Sequence, residues 1–249
     1  MTTAIKQIGH HTWLLGPLAI CFSSILVVAH ATMHPFAIAG VVLFFAGVIA
    51  AYTLDHWMDH PDQRSRFLGV TTGLAIFIGL GAALWLPGWK IAVALALGVI
   101  SLAYRRCKQW PLVKTFLVAG AWTTASMAFP VDWNTREIAP AALIIALFAT
   151  FAANALLCDL KDGVADTRTG VRSAMVLWGE PAATALAAAL AMTGVLAALA
   201  AHRLGLAGAG LMLCALTIFP RWISRPILGP ALADSALVLP AVFILMSRA

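Results

Sequence analysis

Nine stretches of this chain run for 14 to 23 residues without Asp, Glu, Lys, Arg or His, the last broken only by Asp234. They are Thr12–Ala29, Pro35–Leu54, Phe67–Trp89, Ile91–Tyr104, Thr115–Val131, Ile138–Cys158, Pro181–Ala201, Leu204–Pro220 and Pro226–Ser247. A membrane-spanning helix needs roughly 20 mainly apolar residues. A bilayer core has no water for exposed peptide groups, so it admits only helices or closed barrels. No strand-like alternation runs through these stretches, so they predict helices. The 249 residues are 62% hydrophobic and only 10% charged, with a mean hydropathy of +0.93. An average soluble domain is about 25% charged. A chain so poor in charge cannot cover a water-facing surface. The expectation is an all-α, polytopic membrane bundle of about nine transmembrane helices around a central cavity, forming a single domain over residues 1–249.

The shortest run, Ile91–Tyr104, is long enough only if Lys90 snorkels and the bilayer thins locally. Ala29-His30-Ala31 imitates a signal-peptide cleavage site, but the apolar run before it exceeds the usual 7–15 residues and only Lys6 leads it. The first helix therefore reads as uncleaved. With the N-terminus in the cytoplasm, twelve basic residues fall on that side: Lys6, Arg64, Arg66, Arg105, Arg106, Lys108, Lys114, Lys161, Arg168, Arg172, Arg221 and Arg225. Lys90, Arg136, Arg203 and Arg248 fall on the other. Twelve against four is a positive-inside bias. Trp13, Trp85, Trp89, Trp110, Trp133, Trp178 and Trp222 lie near helix ends, as an aromatic belt would. The net charge of +6 is spread over several loops, which sets orientation and attracts lipid headgroups and gives no footprint for nucleic acid. Cys21, Cys107, Cys158 and Cys214 show no metal-ligand spacing and read as reduced packing residues.

Six of the ten acidic residues crowd into two short segments. Asp55, Asp59 and Asp62 close the second span, and Asp159, Asp162 and Asp166 close the sixth. The spacings, four then three and three then four, return side chains to one helix face with Cβ atoms about 5–6 Å apart. Like charges so close repel, and a helix C-terminus is already negative, so helix stability does not favour the arrangement. A hard cation would, since Mg²⁺ takes oxygen ligands and bridges carboxylates to substrate phosphates. The competing explanation is that these are solvated loop acids. Pro61 disfavours a helical His60, which puts Asp62 beyond the face of Asp55 and Asp59. Gly163 is expected to let the sixth helix fray after Asp162. Arg64, Arg66, Arg105, Arg106, Lys108, Lys114, Lys161, Arg168 and Arg172 face the same side of the membrane. Carboxylates with Arg and Lys donors are what a diphosphate needs, so the pattern points to a lipid-soluble diphosphate ester.

The segment Asp159-Leu160-Lys161-Asp162-Gly163-Val164-Ala165-Asp166-Thr167-Arg168-Thr169-Gly170-Val171-Arg172-Ser173 follows the pattern Asn/Asp, basic, then Asp-x3-Asp-x3-Gly-x-Arg/Lys-Ser/Thr, with Trp178-Gly179 in place of a closing Leu-Gly. Tyr104 and Lys108 form a Tyr-x3-Lys element after the fourth span, followed by Lys114. Taken in span order, these elements and His11-Thr12-Trp13 resemble the UbiA-type intramembrane prenyltransferase superfamily, whose members carry Asp-rich motifs on the second and sixth of about nine helices. The first motif departs from the family's Asn-Asp-x2-Asp-x3-Asp. Asp55-His56 stands at the Asn-Asp pair, Asp59 fits the next Asp, and Gln63 occupies the last position with Asp62 one residue early. The Arg-Pro stretch that usually follows is reduced to Arg64-Ser65-Arg66, and His10 and His11 stand where the family has Arg before Trp.

The resemblance implies an alkyl-group transferase that moves a prenyl group from an isoprenyl diphosphate to a lipid-soluble, aromatic acceptor. Mg²⁺ would be held by Asp55, Asp59, Asp162 and Asp166, with Asp62 and Asp159 as further ligands, and would draw off charge as an allylic carbocation forms. Arg64, Arg66, Lys108, Lys114, Lys161 and Arg172 would grip the diphosphate, and Tyr104 would hydrogen-bond it or face the cation. Apolar walls from helices two to six would exclude water, and the prenyl tail would leave laterally into lipid. The implied location is the inner membrane of a bacterium or archaeon, with the site on the cytoplasmic side. Three other readings stay open: a relative that ionises the diphosphate without an acceptor, a non-catalytic binder of lipid diphosphates, and a cation transporter. Transport would want ionisable groups deep within spans rather than at their ends.

Other residues read more plainly. His56 and His60 could ligate a softer metal, though no His stands beside the second cluster. Asp234, inside the ninth span, is a functional candidate by default, and its nearness to Arg225 suggests a helix N-cap. Pro181 reads as a first helical residue, and Gly73, Gly79 and Gly81 as close-packing positions.

Overall fold

The computed structural model describes residues 18, 21, 37–59, 66–107, 109–130, 141–225 and 228–246. Among the described residues every regular element is helical. In chain order they are α1 (Ile38–Asp59), α2 (Arg66–Ala83), α3 (Gly88–Cys107), α4 (Val113–Ala128), α5 (Ala141–Asp159), α6 (Gly163–Thr169), α7 (Ala174–Ala200), α8 (Leu204–Leu216), α9 (Pro220–Ile223) and α10 (Leu228–Met246), with a 3₁₀ turn Leu160–Asp162 between α5 and α6. Eight of these match the second to ninth apolar runs in order. The first run lies outside the described residues, apart from Leu18 and Cys21, both helical. The short run Ile91–Tyr104 sits inside the 20-residue α3, because Gly88–Lys90 and Arg105–Cys107 are helical too. Among the described residues four segments are long and apolar enough to cross a membrane: Ile38–Asp55, Arg66–Ala83, Ala141–Thr169 and Ala174–Ala200. The chain is an integral membrane protein.

The chain packs as two compact units, residues 1–99 with 125–132, and residues 100–124 with 133–249. In the first, α1 and α2 lie side by side. The buried face of α2 is Leu68, Thr72, Ala75, Gly79 and Ala82, at helical spacing and mostly small or polar. Its exposed positions include Phe67, Val70, Leu74 and Phe77. A water-soluble helix would carry the opposite pattern; bulky apolar groups outside and small groups inside suit lipid. Thr72 donates to Thr53 Oγ1 at 2.7 Å, and Thr53 donates to the Ile49 carbonyl at 2.7 Å, so both buried hydroxyls are satisfied. Gly79 meets α1 at Ala46 and Leu43, at ordinary contact distance for an added Cβ. Gly73 and Gly81 have no neighbour there among the described residues, so of the three glycines only Gly79 serves close packing. A side chain at Gly40 would collide with the Phe129 carbonyl.

Lys90 does not snorkel. Its side chain is 1% exposed, with Nζ 3.5 Å from the Phe129 carbonyl and 5.5 Å from the centre of the Trp89 ring. That carbonyl follows the last residue of α4, where helix carbonyls lack intrahelical partners and the helix dipole is negative. An inward ammonium suits both.

In the second unit α5 is the core. Twelve of its nineteen residues are buried, among them Leu143, Leu147, Phe151 and Leu156. Helix α7 turns Ala183, Ala187, Ala191, Gly194 and Ala198 inward, a stripe of small residues that lets neighbouring backbones approach closely. It is broken at Gly179, whose φ of 81° and ψ of 172° belong to a region only glycine occupies comfortably. The expected start at Pro181 is therefore the start of the helix beyond that break. Asp234 does not cap a helix: it lies in the second turn of α10, 9% exposed, and accepts a hydrogen bond from Asn154 Nδ2 at 3.4 Å. A carboxylate buried in this core needs a polar partner, and α5 supplies one.

Candidate active site

The second acidic cluster is built by a change of helical pitch. Helix α5 ends at Asp159 and tightens into the 3₁₀ turn Leu160–Asp162, then α6 begins at Gly163. In a 3₁₀ turn side chains at i and i+3 eclipse, which brings Asp162 over Asp159. From Asp162 to Asp166 is one ordinary α-helical turn. The fraying expected at Gly163 does not occur, because Gly163 is helical at φ −51° and ψ −39°. Glycine suits the position for a steric reason: an added Cβ would stand 2.7 Å from Met175 Cγ. The cluster also differs from a plain helix C-terminus, since Asp162 is the N-cap residue of α6 and Asp166 lies in its first turn.

Gly170 ends α6 with φ 74°, and the Val171 amide donates to the Asp166 carbonyl at 2.9 Å. This turn brings the Arg172 carbonyl to the Leu112 amide, 3.0 Å away, and so fixes the start of α4. Leu112 takes φ 61°, a conformation that costs an L-residue of this size about 1 kcal/mol or more, so the surrounding structure holds it there. Two residues on is Lys114.

Lys114 stands among all three aspartates. Its Nζ lies 2.9 Å from Asp159 Oδ1, 3.2 Å from both carboxylate oxygens of Asp166, and 3.8 Å from Asp162 Oδ2. Thr115, next in sequence and buried, donates to Asp159 Oδ2 at 3.4 Å. Lys161 Nζ reaches Asp162 Oδ1 at 2.7 Å. Asp159 and Asp166 are buried, whereas Asp162 keeps a third of its side-chain surface in contact with solvent. Burial by itself would lower the Lys114 pKa. The charges of Asp159 and Asp166, the hydrogen bond to Asp159 and the charge of Asp162 outweigh it, and the ammonium is held above its usual range. Three carboxylates against two ammonium groups leave the cluster one negative charge in excess.

The other candidate residues fall as follows. Asp55, half-buried, and Asp59 are one turn apart at the end of α1, as their spacing predicts, and Arg66 is exposed at the start of α2. Tyr104 is half-buried in the last turn of α3, and the Arg172 side chain is exposed. Asp62, Arg64 and Lys108 lie outside the described residues, as do His10, His11, Trp13 and His60. Sequence reasoning did not anticipate Lys114 as the partner of the carboxylates, nor Thr115 as a donor to Asp159. The one available signal was that Lys114 and Thr115 open the first apolar run after a basic loop.

Could these residues hold Mg²⁺? The donors are all oxygens, three carboxylates lie within 4 Å of one cationic centre, and the cluster has negative charge to spare. Among the described residues no group of three or more His, Cys, Asp or Glu is arranged to hold a metal ion by itself. Mg²⁺ rarely uses such a group, taking one or two carboxylates and completing its shell with water and phosphate. The residues fit a magnesium ion shared with a phosphorylated ligand.

Neither a family model nor a curated protein matches the chain. Solved structures do. An apo UbiA homolog from Aeropyrum pernix K1 superposes with a TM-score of 0.71 at 15% identity, over 94% of this chain and 98% of that one. A UbiA homolog from Archaeoglobus fulgidus bound to GPP and Mg²⁺ gives 0.68 at 15% identity, over 94% and 95%. A structure described as digeranylgeranylglyceryl phosphate synthase in membranes gives 0.57 at 14%, over 93% and 97%. Agreement along almost the full length of each, with so little identity, is agreement in the path of the helices. The chain has the fold of the UbiA homologues.

Proposed function

We propose that the chain is a UbiA-type prenyltransferase, a single domain that transfers a prenyl group from an isoprenyl diphosphate to a lipid-soluble acceptor within the membrane. The observation that carries the proposal is the set of three carboxylates, Asp159, Asp162 and Asp166, gathered at one point by a motif of the expected pattern. The fold adds to it, since a UbiA homolog of the same fold binds GPP and Mg²⁺.

On this reading Asp159, Asp162 and Asp166 would hold Mg²⁺, and the family resemblance gives the same role to Asp55, Asp59 and Asp62 of the first motif. The ion supplies positive charge against the diphosphate oxygens as the carbon–oxygen bond breaks. Lys114, Lys108, Lys161, Arg64, Arg66 and Arg172 orient the diphosphate and keep it from returning to carbon. Tyr104 would hydrogen-bond the diphosphate or face the cation. Apolar side chains of the spans would keep water from the electron-deficient carbon and leave the acceptor as its nucleophile. The excess of basic residues on one side supports a site that opens toward the cytoplasm.

The test is release of diphosphate from geranylgeranyl or farnesyl diphosphate by purified protein, with and without Mg²⁺, beside Asp162→Ala. Metal-dependent turnover, lost in the variant, is expected. Adding membrane lipid extract with labelled substrate and identifying the labelled product names the acceptor. Turnover with no acceptor adduct would replace transfer by acceptor-free ionisation, and binding without turnover would replace catalysis by diphosphate capture. Ion flux in liposomes without diphosphate binding would favour transport.

A further inference from the structure

The geometry points to a second task for Lys114: we infer that it is the resident counter-ion of the three-carboxylate cluster, so that a divalent cation loads by exchange with its ammonium. This rests on the reading of the cluster as a metal–diphosphate site. Among the described residues Lys114 is the one cation within 4 Å of either Asp159 or Asp166, and it reaches Asp162 as well. Lys161 serves Asp162 alone. Two buried aspartates and a half-buried one on two successive helical turns repel strongly at low dielectric. The Lys114 charge is what permits them to stay ionised and close.

The same proximity sets the terms for a divalent ion. An ion held by these oxygens would stand within a few ångströms of the ammonium, and the two positive charges would repel. Lys114 is on the first turn of α4, anchored by the Leu112–Arg172 backbone bond, on a flexible four-carbon stem. Its backbone stays where it is while its head moves off. The displaced ammonium remains at the same rim, next to the anion that accompanies the metal. One side chain thus neutralises the carboxylates before loading and the diphosphate afterwards, and metal without diphosphate is bound weakly by design of charge.

The experiment uses the full chain in detergent, with Mn²⁺ as the probe read by electron paramagnetic resonance and no prenyl diphosphate present. Lys114→Met is expected to bind Mn²⁺ about tenfold or more tightly than the unaltered chain, and Lys114→Arg to stay within a few-fold of it. A structural lysine would behave oppositely, its loss scattering the aspartates and weakening the metal. Equal or weaker binding by a folded Lys114→Met overturns the inference. Should that variant fail to fold, the unaltered chain decides. Acetylation of Lys114 by acetic anhydride, followed by mass spectrometry, should rise several-fold when Mn²⁺ alone is added, and an unchanged rate overturns the inference. Neither measurement contains a prenyl substrate. Failed turnover would therefore remove the proposed activity and leave the exchange standing, and failed exchange would do the reverse.

Discussion

Asp55 and Asp59 stand four residues apart in the last turn of α1, which closes at Asp59, whereas the helix that carries Asp159 runs on through a tighter turn and the seven residues Gly163–Thr169, which include Asp166. Each cluster is interrupted by a residue usually read as a helix breaker, Pro61 before Asp62 in one and Gly163 before Asp166 in the other. Proline acts through its own covalent ring and keeps the residue before it out of the helical region. Glycine only permits; it breaks a helix when nothing else holds the backbone, and here Met175 packs where a Cβ would be. The second cluster therefore keeps three carboxylates within reach of one ammonium. The first has two on its helix, and the sequence puts Asp62 past the proline. Spacing alone treats the clusters as equivalent. Chemistry that depends on a third oxygen does not.

The largest test of this contrast is on turnover. Asp166→Ala should lower Mg²⁺-dependent diphosphate release by roughly 10²–10³-fold, the scale of losing one group that stabilises developing charge. Asp62→Ala should cost much less. Equal losses in both would mean that the clusters contribute alike, and the contrast would fall. Next in size is Gly163→Val, which forces a branched side chain against Met175 and should destabilise the fold by about 1–3 kcal/mol, measured as a lower thermal midpoint in detergent. Met175→Ala in the same chain should return part of the loss. If Gly163→Val melted with the unaltered chain, the continuous helix through residue 163 would be wrong. The smallest effect is expected from Thr115→Val, which removes one hydrogen bond to Asp159 while keeping the shape, at about 0.5–1.5 kcal/mol. Because Lys114 still holds that carboxylate, diphosphate release should fall only a few-fold.

Much of the fold was legible because a bilayer imposes a local rule. Each span announces itself by length and lack of charge, and eight of the nine runs reappear as helices in order. The break before Pro181 was legible for the same kind of reason, since proline and glycine act on their own backbone. Lys90 and Asp234 were misread because the choice between lipid surface and interior depends on which backbone carbonyl or amide lies across the gap. For Lys90 it is the carbonyl of Phe129, 39 residues away, and for Asp234 the amide of Asn154, 80 residues away.

From the sequence alone came the spans, their order, and the three aspartates placed at one end of a helix, because helical period and hydrophobic length are properties of consecutive residues. The tertiary structure decided what those aspartates meet. Lys114 lies 45 to 52 positions before them in the chain, and no local pattern states that the start of α4 is pinned to the turn after α6. That pairing follows from packing, where the energy of a buried charge depends on every group around it.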